Sequence, residues 1–127
     1  MRIIIDAMGG DNAPDAIVRG AVLAADQLGV DIVLVGDEAR VRPLLEQNAP
    51  QNPGRITVHH ASEVITMEDN PVSVVRQKKD SSLVVALRLL GEGEGDAMVS
   101  AGSTGALLTG ATLFVKRIKG VRRAALA

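Results

Sequence analysis

Three separated stretches of this chain carry residue types that could do chemistry on a ligand. The first is Ser100-Ala101-Gly102-Ser103-Thr104-Gly105, which follows the apolar run Ala97-Met98-Val99 and precedes a helical stretch from Ala106 to Lys116. Two glycines let the backbone turn sharply and come close to a ligand. A fresh helix N-terminus then presents unpaired N–H groups and a partial positive charge. With the hydroxyls of Ser100, Ser103 and Thr104 beside those donors, the most economical guest is a phosphate. The bland alternative is a tight turn built from small residues. The segment has neither the lysine of a P-loop nor the full Gly-x-Gly-x-x-Gly spacing, so a nucleoside triphosphatase or a nicotinamide enzyme is poorly supported.

The second stretch is Asp6-Ala7-Met8-Gly9-Gly10-Asp11. Two acids at a strand end can bind Mg²⁺, act as a general base or hold a loop, and Asp11 is best placed to cap the helix that follows. The third is Arg76-Gln77-Lys78-Lys79-Asp80-Ser81-Ser82. Three cations ahead of a serine-rich helix start form either a solvated face or a reach toward an anion. His59 and His60 are adjacent in a strand and face opposite ways, so neither is assigned to a site.

The elements that must position these stretches follow from the hydrophobic pattern. Ile3 to Ile5 is a short buried strand with Asp6 at its carboxyl end. Pro14 suits the first position of a helix capped by Asp11 or Asn12, in which Ile17, Ala21, Ala24 and Leu28 recur at helical spacing until Gly29. Asp31 to Val35 is a second strand, which completes a βαβ unit and makes the sheet parallel. Residues 38–47 read as a helix that Pro43 should kink or restart. Residues 48–54 form a loop, Arg55 to His59 a third strand, and Glu63 to Asn70 a connection. Pro71 opens a helical region holding Arg76, Lys78 and Lys79. Ser81 or Ser82 caps the next helix, Asp96 to Ser100 is the fourth strand, and 104–116 the last helix. The whole is one α/β domain over 1–127, an open, mostly parallel sheet with helices on both faces. Both glycine loops follow strands, the edge where such sheets bind ligands, which makes them candidates for one cleft.

Composition narrows the function classes. The 127 residues are 46% apolar but include one Phe and no Trp or Tyr. A core of branched aliphatics suits buried parallel strands and argues against stacking single-stranded nucleic acid bases. The formal net charge is −1, yet no acid lies beyond Asp96, and Lys116, Arg117, Lys119, Arg122 and Arg123 make a basic tail on an otherwise acidic chain. The absence of cysteine excludes disulfides and thiolate chemistry. No run reaches the length of a membrane helix, and a charge comes too early for a signal peptide, so a cytoplasmic location is expected.

Ile5 through Asp11, Pro71 through Ser82 and Ser100 through Ala106 together resemble the amino-terminal part of the bacterial phosphate acyltransferases of fatty acid and phospholipid synthesis. The resemblance runs through essentially the whole chain. It implies a homodimeric α/β fold similar to isocitrate dehydrogenases and phosphotransacetylases. It also implies transfer of a fatty acyl group from acyl carrier protein to inorganic phosphate, feeding a glycerol-3-phosphate acyltransferase, with peripheral association at the cytoplasmic membrane and no cofactor or metal. Family chains are more than twice as long and usually carry Asn where this one has Ser103. With Arg122 to Ala127 resembling the lead-in to a further strand, this chain is expected to be the amino-terminal portion of a longer enzyme. On this basis Asp6, Lys78 and Lys79 are the expected catalytic residues. Gly9, Gly10, Asp11, Arg76, Ser100, Gly102, Ser103, Thr104 and Gly105 are the expected phosphate and substrate contacts. The alternatives are a non-catalytic binder of phosphorylated metabolites and a phosphotransacetylase using coenzyme A esters.

Overall fold

The computed structural model describes residues 1–116 and 119–120. Arg117, Arg122, Arg123 and the strand expected toward Ala127 lie outside the described residues. Four strands, β1 (Arg2–Asp6), β2 (Asp31–Gly36), β3 (Ile56–His60) and β4 (Ala97–Val99), form one sheet in the order β3-β2-β1-β4. Every pairing is parallel, with Ile4 opposite Val33 and Met98, and Val33 opposite Thr57. Among the described residues five helices accompany the sheet: α1 (Asp15–Leu28), α2 (Glu38–Asn48), α3 (Val74–Gln77), α4 (Ser82–Gly91) and α5 (Thr104–Phe114).

Strand alternation divides the core in two. Ile32, Leu34 and Ile56 pack with Val18, Ala21, Val22 and Ala25 of α1 and Val41 of α2 on one face. Ile4 and Val35 meet Val85 and Ala86 of α4 on the other. The residues of α4 from Ser82 to Leu87 are all buried. It lies between the sheet and a second layer in which Leu83, Val84 and Leu87 meet Val74 and Val75 of α3 and Ala106 of α5. Burial on all sides explains why this stretch is apolar almost without interruption.

The helices depart from sequence expectation in instructive places. The buried stripe of α1 is Val18, Ala21, Val22 and Ala25, one step from the expected series, and Leu28 is 72% exposed. Both stripes satisfy a 3.6-residue period; the one with two valines and two small alanines fits against the sheet. Neither Asp11 nor Asn12 caps α1 by its side chain. Pro14 precedes its first residue, and the Ala16 amide donates to the main-chain oxygen of Asn12 at 3.0 Å. Helix α2 runs unbroken through Pro43. Pro43 and Ala39 are both exposed, so the carbonyl deprived of its intrahelical donor opens to solvent. Its start is capped twice, by Asp37 accepting from the Ala39 amide and by His60 Nδ1 accepting from the Glu38 amide. The loop expected over 48–54 ends in a short 3-10 turn, Pro53–Arg55. The helical region expected after Pro71 shrinks to α3, four residues long, leaving Lys78 and Lys79 beyond its end.

The start of α4 also shapes the neighbourhood of the site. Buried Ser81 caps it by accepting from the Val84 amide at 3.3 Å. The same residue forms an isolated parallel bridge with Glu63. The Ser62 amide and hydroxyl both donate to the Asp80 carboxylate, which holds its pKa below the ordinary value, the hydroxyl contributing most. Ser81→Ala should therefore cost about 1–2 kcal/mol in denaturant unfolding, with Ser81→Thr recovering much of it. A change below a few tenths would show that the cap contributes nothing.

Candidate active site

The chain builds outward from β1 through β2 to β3, then returns over the other face and places β4 on the far side of β1. Strand order therefore reverses between β1 and β4, and the crevice at the carboxyl ends of two such strands is where open α/β sheets bind ligands. The loops leaving these strands, 7–14 and 100–103, are the two glycine loops. The topology brings them side by side.

Asp6 joins them. It is only 2% exposed, and its carboxylate accepts from the Ser100 hydroxyl at 2.9 Å and from the Met8 amide at 3.2 Å. Ser100 Oγ in turn accepts from the Gly102 amide at 3.1 Å. A buried carboxylate is thus satisfied from both loops, and its removal would leave desolvated donors unpaired. The contact requires Gly9: a Cβ there would stand 2.7 Å from Asp6 Oδ2 and 2.9 Å from the Gly102 nitrogen. Gly10, at φ +107°, turns the chain beside Ala101.

Above this joint lies a pocket of about 360 Å³, lined by Met8, Gly10 and Asp11, by Ala101, Gly102 and Ser103, and by the 64–67 segment. Ser103 caps α5, its hydroxyl accepting from the Ala106 amide at 3.3 Å. With Ala106 satisfied in this way, Thr104 and Gly105 carry the first-turn amides that a helix leaves without internal acceptors. Thr104 is exposed and Ser103 partly so.

The remaining expected residues are placed differently. Asp11 lines the pocket but caps nothing. Gly105 has a packing reason to be glycine, because a Cβ would lie 2.8 Å from Pro71 Cβ. A Gly105→Val variant would therefore disturb packing as well as any ligand. Lys78 is not free to offset an anion's charge. Its ammonium donates to Val64 O at 2.9 Å and to Asp69 Oδ2 at 2.8 Å. Asp69 also accepts from the Thr66 amide at 2.8 Å. The lysine thereby ties down the segment that walls the pocket. Its hydrogen bond, then that of Thr66, holds the Asp69 carboxyl below its ordinary 3.8. The stability this pairing contributes is present above that value and is lost as pH falls through the depressed one, so the tie is intact at neutral pH.

Arg76 and Lys79 are exposed and do not line the pocket. Pro71 sits against Gly105, and Val75 lies 3.6 Å from where a Gly110 Cβ would be. The chain thus passes α5 in the same direction, carrying Arg76 down its flank and away from its amino end. Sequence reasoning missed the Thr66–Asp69–Lys78 tie, although a Thr three residues before an Asp signals a local turn. It missed the His60 cap altogether.

The chain matches the family described as "Fatty acid synthesis protein" over residues 1–127. The chain belongs to that family. It is 50% identical over 127 residues to a protein of Acetivibrio thermocellus named phosphate acyltransferase, covering 99% of this chain and 37% of that one. A phosphate acyltransferase of Heliobacterium modesticaldum is 48% identical over 127 residues, covering 100% and 38%. One of Desulfitobacterium hafniense is 48% identical over 126 residues, covering 99% and 37%. The chain therefore spans less than two fifths of the length of these curated relatives.

Two variants test the joint. Ser100→Ala strips one partner from a buried carboxylate and the acceptor from the Gly102 amide, and should cost about 1–3 kcal/mol in denaturant unfolding. Gly9→Ala should cost a similar ~1–3 kcal/mol by overpacking. Wild-type stability in both would mean the loops do not depend on this contact.

Proposed function

We propose that the whole enzyme transfers a fatty acyl group from acyl carrier protein to inorganic phosphate, with phosphate held at the amino end of α5. The observation that carries this reading is the Asp6–Ser100–Gly102 joint. It fixes the 100–103 loop at the point of strand reversal, and the first-turn amides of α5 follow directly on Ser103, the last residue of that loop to line the pocket. The names of the relatives supply the acceptor and the group transferred, and the family supplies the fatty nature of the acyl chain.

In the proposed step a phosphate oxygen attacks the thioester carbonyl. The acyl carbon–sulfur bond breaks as the acyl carbon–oxygen bond forms, and the departing thiolate takes up a proton. Phosphate is its own nucleophile, so no side chain need form a covalent intermediate. The protein's task is to place a dianion against a carbonyl and to stabilise the oxyanion. The amides of Thr104 and Gly105, with the hydroxyls of Ser103 and Thr104, would receive the phosphate oxygens. Gly10, exposed at the rim, would offer an amide toward the carbonyl. Asp6 acts behind the site by positioning Ser100 and Gly102. Lys78 acts through the pocket wall, and Arg76 and Lys79 are left to the solvated surface. Among the described residues no helix is long and apolar enough to cross a membrane. A homodimer, peripheral membrane association in the cytoplasm and onward delivery to a glycerol-3-phosphate acyltransferase belong to the same proposal.

Thr104→Glu separates binding from folding. A carboxylate in the first turn of a helix is favourable, so stability should hold or rise slightly. A fixed negative charge at the cradle should nevertheless raise the KM for phosphate by about tenfold or more. Unchanged phosphate kinetics in the whole enzyme would remove phosphate from this end of α5. Supplying acyl groups on coenzyme A in place of the carrier protein tests the donor, and faster turnover with coenzyme A would assign the donor wrongly here.

A further inference from the structure

The pocket joins two chemistries that phosphate alone does not explain. Gly102 and Ser103 present backbone and hydroxyl groups, whereas Met8, Val64, Ile65 and Met67 line the same pocket with aliphatic side chains. Met67 is 81% exposed. Asp11 and Thr66 line the pocket as well, but the apolar side chains offer water or an inorganic anion no hydrogen bond. The 64–67 segment is also held in place by more than its own turn. Lys78 grips Val64 O and Asp69, Asp69 grips Thr66, and Glu63 is bridged to the start of α4. An apolar strip anchored beside an anion cradle suits a substrate whose reacting carbon carries a hydrocarbon tail.

We propose that Val64 to Met67 is the acyl-recognising wall of the site, with Ile65 against the first methylenes and Met67 against the chain where it leaves the pocket. The assignment rests on the phosphate acyltransferase reading above and deepens it by naming which residues see the hydrocarbon. A free volume of about 360 Å³ must also admit phosphate and the thioester carbonyl. A long chain therefore runs out past Met67, and chain length is read at the mouth. Lys78 is a positioning residue for this wall.

The test measures kcat/KM of the whole enzyme for a short-chain and a long-chain acyl donor, with phosphate KM measured alongside. Burying one methylene is worth about 0.8 kcal/mol, or roughly fourfold. A neutral polar group at the mouth that turns away two or more methylenes should therefore cost tenfold or more. Met67→Asn should lower kcat/KM for the long-chain donor by at least that factor, with a several-fold smaller loss for the short-chain donor; being uncharged, the substitution adds no repulsion for phosphate. Met67→Leu keeps the apolar surface and should retain the long-chain preference, and Lys78→Met should weaken that preference by more than it changes phosphate KM. Because Met67 is exposed, the substitution leaves folding intact, and a matching melting temperature checks this. Equal loss for both donors, or loss for neither, would overturn the assignment. Failure of the underlying reading looks different: the unsubstituted enzyme would form no acyl phosphate from any donor.

Discussion

A buried carboxylate holds together the edge of the sheet where the candidate site lies. Asp6 lies at the end of the innermost part of the sheet and cannot be left unsatisfied there. It takes one hydrogen bond from its own loop, through the Met8 amide, and one from the other, through Ser100. Ser100 then spends its remaining acceptor on the Gly102 amide. The cost of burying that charge thus fixes the spacing of two loops almost a hundred residues apart in sequence. The glycine at position 9 follows from the same contact, since any side chain would stand between the carboxylate and Gly102.

The consequence for function is a division of labour among groups that look alike in sequence. The Gly102 amide is spent on the joint. The amides ahead of it, in the first turn of α5, remain for a ligand. Lys78, one of the two lysines expected to act on the substrate, is spent on Val64 and Asp69. The anion proposed here is therefore met by dipoles and hydroxyls, with no lysine or arginine in the pocket lining among the described residues. Oriented backbone amides suit a nucleophile that must attack: they hold phosphate without the strong point charge that would quench it.

Much of the fold was legible because its physics is local. Ile3 to Ile5 ending in Asp6, the glycine stop at Gly29 and the alternation of strand and helix announce a parallel sheet. Ser81, one of the two serines expected to cap α4, does so; the cap that Ser103 places on α5 emerged only from the structure. The failures arise where tertiary contacts choose among locally equal options. Two stripes on α1 have the same period, and only the sheet selects Val18 over Ile17. Pro43 threatens a helix in sequence but costs little where its orphaned carbonyl meets water. That the two glycine loops share one edge of the sheet was legible, since both follow strands; the Asp6–Ser100 hydrogen bond that joins them was not. Lys78 was not, because a charge run gives no sign of which member will be captured by a carbonyl and a carboxylate from a preceding loop. His60 was likewise hidden, since only the fold brings its imidazole to the start of α2.

The most direct test of the account is a titration of isotope-labelled protein with inorganic phosphate, followed at individual amides. Saturable shifts concentrated at Ser103, Thr104 and Gly105, abolished when Asp6 is replaced by Ala, are the predicted result. Shifts centred instead on Arg76 and Lys79, or amides at the start of α5 that do not respond to phosphate, would contradict it.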